Sequence, residues 1–218
     1  MSRPVLDGWL PVYAAGVEGD ALAALGAVRL GVGKAAAAAA LARELAARRP
    51  PGVLLFGVCG AFAVRHRPGT QLRVGDVVVV GGDRFGDEGV ATEQGFVGID
   101  DLGLGAVGPF AADRDATARV AAALGAPVVD GCTVSTCSGS EAAALAVHAR
   151  TGAAVETMEG AAVALCCAAA GVPLVQLRAV ANYTGDRARG AWDLPGAAAA
   201  VQAAVRDLLG GDARTTGR

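Results

Sequence analysis

The 218 residues are 53% apolar and 18% charged, with a formal net charge of -2; that suffices for one buried core and leaves no basic excess to hold nucleic acid or an anionic membrane. Five cysteines, with Cys166 and Cys167 adjacent in an apolar run, argue against a disulfide framework, and no C-x-x-C pair offers zinc ligands. No run approaches the ~18 apolar residues of a membrane span, and "MSRPVLDGWLPVYAAG" lacks the apolar core of a signal peptide, so a cytoplasmic protein with a small-molecule partner is expected.

In chain order, strands are expected in "WLPVYAA" and "AVRLGVG", followed by a helix over 34–49 with Ala, Leu and Arg at helical spacing. "GVLLFGV" and "VGDVVVVG" are the next two strands. Residues 83–113 are Gly-rich, acidic and weakly periodic, and read as a loop region flanking a site. A helix over 114–124, the strand "PVVDGCTVS", a helix over 139–151 and the strand "AAVETM" follow. Then come a helix over 159–170, the strand "VPLVQLRAVAN" and a helix over 195–209 introduced by Asp193 and Pro195. Strands alternating with helices predict a three-layer α/β/α sandwich around a mixed, mostly parallel sheet, one domain over residues 1–209, with 210–218 a disordered tail. Ligands of such folds sit beyond the carboxyl ends of the strands.

Two familiar motifs fail on inspection. "GVGK" at Gly31–Lys34 lacks the first Gly of a phosphate loop, and Ala35 stands where a hydroxyl should bind magnesium, so it reads as a strand-to-helix turn. "GVCGA" puts Cys59 where a nucleophile would stand, but His66, in "RHRPG", and His148 are the only histidines available as a base. A small buried thiol is the simpler reading.

"VETMEGAAVALCCAAAGVPLVQLRAVANY" poses the sharper question. Glu159 opens an apolar helix, where helix-end amides favour an ionised carboxylate, and Asn182 closes the strand after it. A β-α-β unit would bring both side chains to one edge of the sheet. Pairing of Glu159 with Arg178, and Asn182 as a turn former, remain equally open on spacing alone.

"VETMEGAAVA" with "LRAVANY" resembles the signature pair of the nucleoside phosphorylase and nucleosidase superfamily. "AAGVEGDAL", "GVGKAAAA", "GVCGAF" and "LRVGDVVVV" resemble its first four strand segments, over roughly residues 10 to 209. Within it, "DRFGDEGV", "DDLGL", "TVSTCSG" and "ANYTGDRARGAWDLPGA" are most similar to the futalosine hydrolase family, which removes hypoxanthine from futalosine in menaquinone biosynthesis. The resemblance implies a nucleoside phosphorylase-like fold and an N-glycosyl hydrolase, commonly a homo-oligomer, that needs no cofactor and no metal.

Residue by residue, it implies that Glu159 holds the ribose hydroxyls with Met158 packed on the sugar, and that Asn182 meets the purine where adenine-specific relatives carry Asp. An amide both donates and accepts, which suits O6 and a protonated N7 of hypoxanthine. The spacing of the resemblance puts the water-activating acid at Asp20, with Glu18 as second candidate. Phe85 and Tyr183 are candidates to cover the ring or sugar, and Arg187 and Arg189 to meet a carboxylate on the 5′ side. The alternatives are a methylthioadenosine/adenosylhomocysteine nucleosidase, a purine nucleoside phosphorylase and, from another class, a nucleoside-binding module without catalysis.

Overall fold

The computed structural model describes residues 4–63, 71–186 and 192–210. Strand β1 (Leu10–Tyr13) leads into a single helical turn, α1 (Gly16–Gly19), and a 3-10 stretch, Asp20–Leu25. β2 (Val28–Arg29), α2 (Lys34–Ala47), β3 (Val53–Ala61) and β4 (Val77–Phe85) follow. The 83–113 region, expected to be loop, contains a hairpin of the exposed β5 (Gly89–Thr92) and the partly buried β6 (Gly95–Gly98), and a short β7 (Phe110–Ala111). The second half runs α3 (Arg114–Leu124), β8 (Val128–Thr133), α4 (Glu141–Thr151), β9 (Val155–Thr157), α5 (Gly160–Ala170), β10 (Leu174–Tyr183) and α6 (Leu194–Leu209).

The helix starts follow from side-chain chemistry. Asp113, Ser140 and Asp193 accept from the amides of Ala116, Ala143 and Gly196 at 2.8, 3.2 and 2.9 Å, satisfying donors that have no partner inside their helices.

β3 is buried on both faces and its alternate residues divide between two cores. Leu54 and Phe56 join Leu177, Ala179, Val120, Val201 and Val205 beneath α3 and α6. Val53 and Leu55 join Leu41, Ala37, Val163 and Cys167 beneath α2 and α5. This is the predicted three-layer arrangement. No described helix is long and apolar enough to cross a membrane.

The sheet is mixed and mostly parallel. β1–β2, β1–β3, β3–β10, β4–β8 and β8–β9 are parallel, whereas β4–β10, β3–β9 and β4–β7 are antiparallel. One edge of β3 pairs with β1 near its start and with β9 near its end, while the other edge carries β10 throughout. The path β3–β10–β4–β8–β9 thereby closes on itself. The expected β-α-β unit is accordingly corrected: β9 and β10 are not neighbours but flank β3, and β9 runs antiparallel to it.

α5 packs closely on this closed end. A Cβ on Gly160 would overlap the buried Asp83 carboxylate and lie 2.7 Å from Gln176 Oε1. Gly160→Ala is expected to lower the unfolding free energy by about 1–3 kcal/mol in denaturant melts, the usual cost of overpacking; an unchanged midpoint would mean that the helix can withdraw freely.

Candidate active site

Two polar clusters lie three residues apart along β3, about 10 Å at ~3.3 Å per residue. The first gathers over Gly57. Arg178 pairs with Gly57 in register and is fully buried. Glu18, in α1 and 5% exposed, turns its carboxylate inward. Its Oε2 accepts from the amides of Ala14 and Ala15 at 3.2 and 2.7 Å, and its Oε1 from Val58 at 2.9 Å. A Cβ on Gly57 would lie 2.5 Å from Glu18 Oε1 and 2.8 Å from Arg178 Nη1, so carboxylate and guanidinium converge where only glycine leaves room. Nε, Nη1 and Nη2 of Arg178 meet no hydrogen-bond acceptor among the described residues, which leaves them available to an oxygen entering the cluster.

Glu159 stands at the N-cap of α5 but does not cap it. Thr157 Oγ1 accepts from the Gly160 amide at 3.3 Å and Thr133 Oγ1 from Ala161 at 2.8 Å, so hydroxyls from β9 and β8 satisfy the first amides of the helix. The Glu159 carboxylate is thereby released toward the strand ends, where its Oε1 accepts from Gly33 at 2.9 Å. The expectation that helix-end amides hold Glu159 ionised is therefore replaced. Burial pushes its carboxyl above the ordinary range, and the Arg178 charge and the Gly33 amide oppose that rise.

Asp83, fully buried at the end of β4, accepts from Thr133 Oγ1 at 2.9 Å and Gln176 Nε2 at 3.3 Å. Desolvation pushes its carboxyl up to about 6 against the pull of Thr133 and of the Arg178 charge. The Arg178 guanidinium thus serves three buried carboxyl groups, Glu18, Glu159 and Asp83. The field is net negative when all three are ionised, which favours a developing cation and opposes a phosphate dianion.

The second cluster is a cleft over Gly60, lined by Cys137, Ser138, Glu156, Asn182, Tyr183 and Trp192. The β10 register slips by one residue between Val180 and Asn182, so Asn182 rather than Ala181 stands beside Gly60. Its amide donates to the Tyr183 carbonyl at 2.9 Å. Glu156 stands beside Gly60 on the opposite edge.

Of the residues expected at the site, Glu159 lies in the first cluster with half-buried Met158 next to it, and Asn182 and Tyr183 line the second. Tyr183 is held in its wall by donating to the Leu72 carbonyl at 2.8 Å. Asp20 is not brought in. It is largely exposed, accepts from the Tyr13 hydroxyl at 2.6 Å and faces Arg29 at 3.7 Å, because the turn after α1 points it outward while Glu18 points in. Phe85 packs edge-on against Phe110 at 5.5 Å, with the Lys34 ammonium 5.0 Å over its ring, and does not line the Gly60 cleft. Arg187, Arg189 and the "RHRPG" segment lie outside the described residues, as does the 211–218 tail. Cys59 is buried, and desolvation pushes its thiol up to about 12, which rules against a thiolate nucleophile. Gly33, Ser138 and Glu156 lie inside segments quoted above but receive no role there, since only register and loop closure assemble them.

The sequence profile described as the phosphorylase superfamily matches residues 24–209. Futalosine hydrolase of Thermus thermophilus is 37% identical over 182 residues, 82% of this chain and 78% of that protein. Futalosine hydrolase of Streptomyces coelicolor is 37% identical over 93% of this chain and 79% of its own length. Among solved structures, the methylthioadenosine/adenosylhomocysteine nucleosidase of Colwellia psychrerythraea in complex with adenine superposes with a TM-score of 0.78 at 22% identity, over 97% of both chains. Futalosine hydrolase of Helicobacter pylori gives 0.74 at 16% identity, over 91% of this chain and 96% of that one.

The raised Asp83 carboxyl has a consequence for stability. Because the folded chain holds that proton to about 6, against about 3.9 in an unfolded chain, folding is favoured below pH ~4 and loses stability as pH rises toward 6, by on the order of 3 kcal/mol. Asp83→Asn is expected to remove this slope, so that its unfolding free energy relative to wild type grows between pH 4 and 6; parallel profiles would contradict the assignment.

Proposed function

The chain belongs to the phosphorylase superfamily and, within it, to the futalosine hydrolase family, and from that membership we propose that it hydrolyses the N-glycosidic bond of futalosine and releases hypoxanthine. The setting is the one the resemblance implies, menaquinone biosynthesis in the cytoplasm by a homo-oligomer. The observation that carries the reading is the division of labour along β3: a carboxylate cluster over Gly57 and an amide-bearing cleft over Gly60, about 10 Å apart. Gly57 and Gly60 are three residues apart, so their clusters rise from opposite faces of β3, and a purine riboside would join them by lying across the carboxyl end of the sheet.

Glu159 takes the sugar hydroxyls, which can donate to a carboxylate with one oxygen already fixed by the Gly33 amide. Glu18 rather than Asp20 activates water. Its carboxylate is buried and fixed by three backbone amides, and it converges with Arg178, whose free donors can orient the water oxygen. As the bond to the base lengthens, positive charge grows on the sugar and the Glu18 and Glu159 carboxylates stabilise it. Negative charge grows on the purine, N7 takes a proton from solvent water, and Asn182 accepts from that N7–H and donates to O6, while the attacking water gives its proton to Glu18 as its oxygen bonds the anomeric carbon. The same negative field disfavours phosphate as nucleophile, which supports hydrolysis over phosphorolysis.

Free hypoxanthine should accumulate from futalosine in phosphate-free buffer at a rate that added phosphate does not raise; strict phosphate dependence would make the protein a phosphorylase. Glu18→Ala should lower kcat by about 10²–10⁴-fold, and Asp20→Ala by less than about threefold, the scale of a surface change within ±0.5 kcal/mol; the reverse order would return the water to Asp20. Asn182→Asp should lower kcat/KM on the 6-oxopurine nucleoside by about tenfold or more, because a second acceptor replaces the amide donor, and unchanged kinetics would remove Asn182 from base recognition.

A further inference from the structure

Glu156 lies in the cleft yet has no part in the bond-breaking chemistry. It is 5% exposed, at the centre of the three-residue strand β9. Oε1 accepts from the Ser138 amide at 2.8 Å and Oε2 from the Ser138 hydroxyl at 2.6 Å. A carboxylate offers about four acceptor positions, so both oxygens keep a lone pair after these bonds. Ser138 fixes the orientation of the group without exhausting it.

Register places this carboxylate opposite Asn182. Gly60 pairs with Glu156 on one edge and with Asn182 on the other. Side chains of directly paired residues rise from the same face of a sheet, and Gly60 raises none between them. Gly60, with the Thr184 methyl 3.0 Å from where a Cβ would stand, forms the floor and Asn182 and Glu156 the walls, and Gly60, Asn182 and Glu156 line the same cleft. The walls differ chemically. Asn182 donates and accepts, whereas an ionised Glu156 only accepts.

Resting on the purine nucleoside reading above, we propose that Glu156 is a specificity-determining residue that accepts the N1–H of a 6-oxopurine while Asn182 holds the O6 and N7 edge. N1 of a 6-aminopurine carries a lone pair instead of a hydrogen and faces the carboxylate with repulsion. Rejection of adenine then comes from two walls rather than from Asn182 alone. Burial pushes the Glu156 carboxyl upward, the two Ser138 bonds oppose that rise, and the Asp87 charge adds to it while Arg150 subtracts.

The test titrates the full chain calorimetrically with hypoxanthine, 1-deazahypoxanthine and adenine, in wild type and Glu156→Gln. Gln keeps an acceptor for Ser138 and adds a donor suited to the N1 of adenine. Wild type should bind hypoxanthine about tenfold or more tighter than either other base, the scale of one unsatisfied buried polar group. Glu156→Gln should reduce both preferences to within about threefold and strengthen adenine binding in absolute terms. Should the variant fail to fold by thermal melting, the wild-type comparison of hypoxanthine with 1-deazahypoxanthine decides alone, since a C–H in place of N1–H removes the proposed donor without adding bulk: weaker binding of the deaza base supports the role, and equal binding overturns it. Equal wild-type affinities, an unchanged ratio in a folded variant, or no binding of any base would overturn the role of Glu156. Discrimination at N1 without turnover of futalosine would support Glu156 and refute the hydrolase reading, and turnover without discrimination would do the opposite.

Discussion

A guanidinium with no solvent exposure organises the carboxyl cluster over Gly57. Arg178 sits within a strand whose neighbours are almost wholly apolar, and an unpaired charge there would cost several kcal/mol. The fold compensates by bringing carboxyl groups from three separate segments: Glu18 after β1, Asp83 at the end of β4 and Glu159 before α5. Arg178 in turn makes their burial tolerable. The surplus of negative charge is what a glycosyl cation needs, so under the proposed function the arrangement that solves a folding problem would also lower the barrier for bond cleavage.

Glycine determines where these groups can meet. Gly57 lets Glu18 and Arg178 converge, and Gly60 leaves room for the Thr184 methyl and the Asn182 amide at the floor of the cleft. The slip in β10 register brings Asn182 beside Gly60. Thr157 and Thr133 take over the amides of α5, which frees Glu159 from capping to accept from the Gly33 amide. Each device is small, and each places a side chain that local propensity could not.

The alternation of apolar strands and Ala-rich helices made the layer architecture legible, and α3 falls where its sequence periodicity ends at Gly125. Glu159 and Asn182 stood out as candidates because each is a polar residue at the border of an apolar segment, Glu159 opening α5 and Asn182 near the end of β10. Glu18 and Asp20 were not separable, since two acids two residues apart in a short turn differ only in the direction that turn sends them. Glu156 was silent for a different reason: its neighbours across the sheet are distant in sequence, and antiparallel pairing of β9 with β3 has no local signature. The β5–β6 hairpin escaped notice because β5 is exposed and both strands are short and begin or end on glycine, so no apolar alternation marks them.

The central claim is that one purine riboside bridges the two clusters on β3, and a crystal structure with a non-hydrolysable 6-oxopurine riboside tests it most directly. The account predicts the sugar hydroxyls on the Glu159 carboxylate, a water held between Glu18 and the anomeric carbon, and the base over Gly60 with O6 and N7 within ~3 Å of the Asn182 amide. A ligand bound elsewhere, or one whose base and sugar occupy the clusters in the opposite sense, would contradict it.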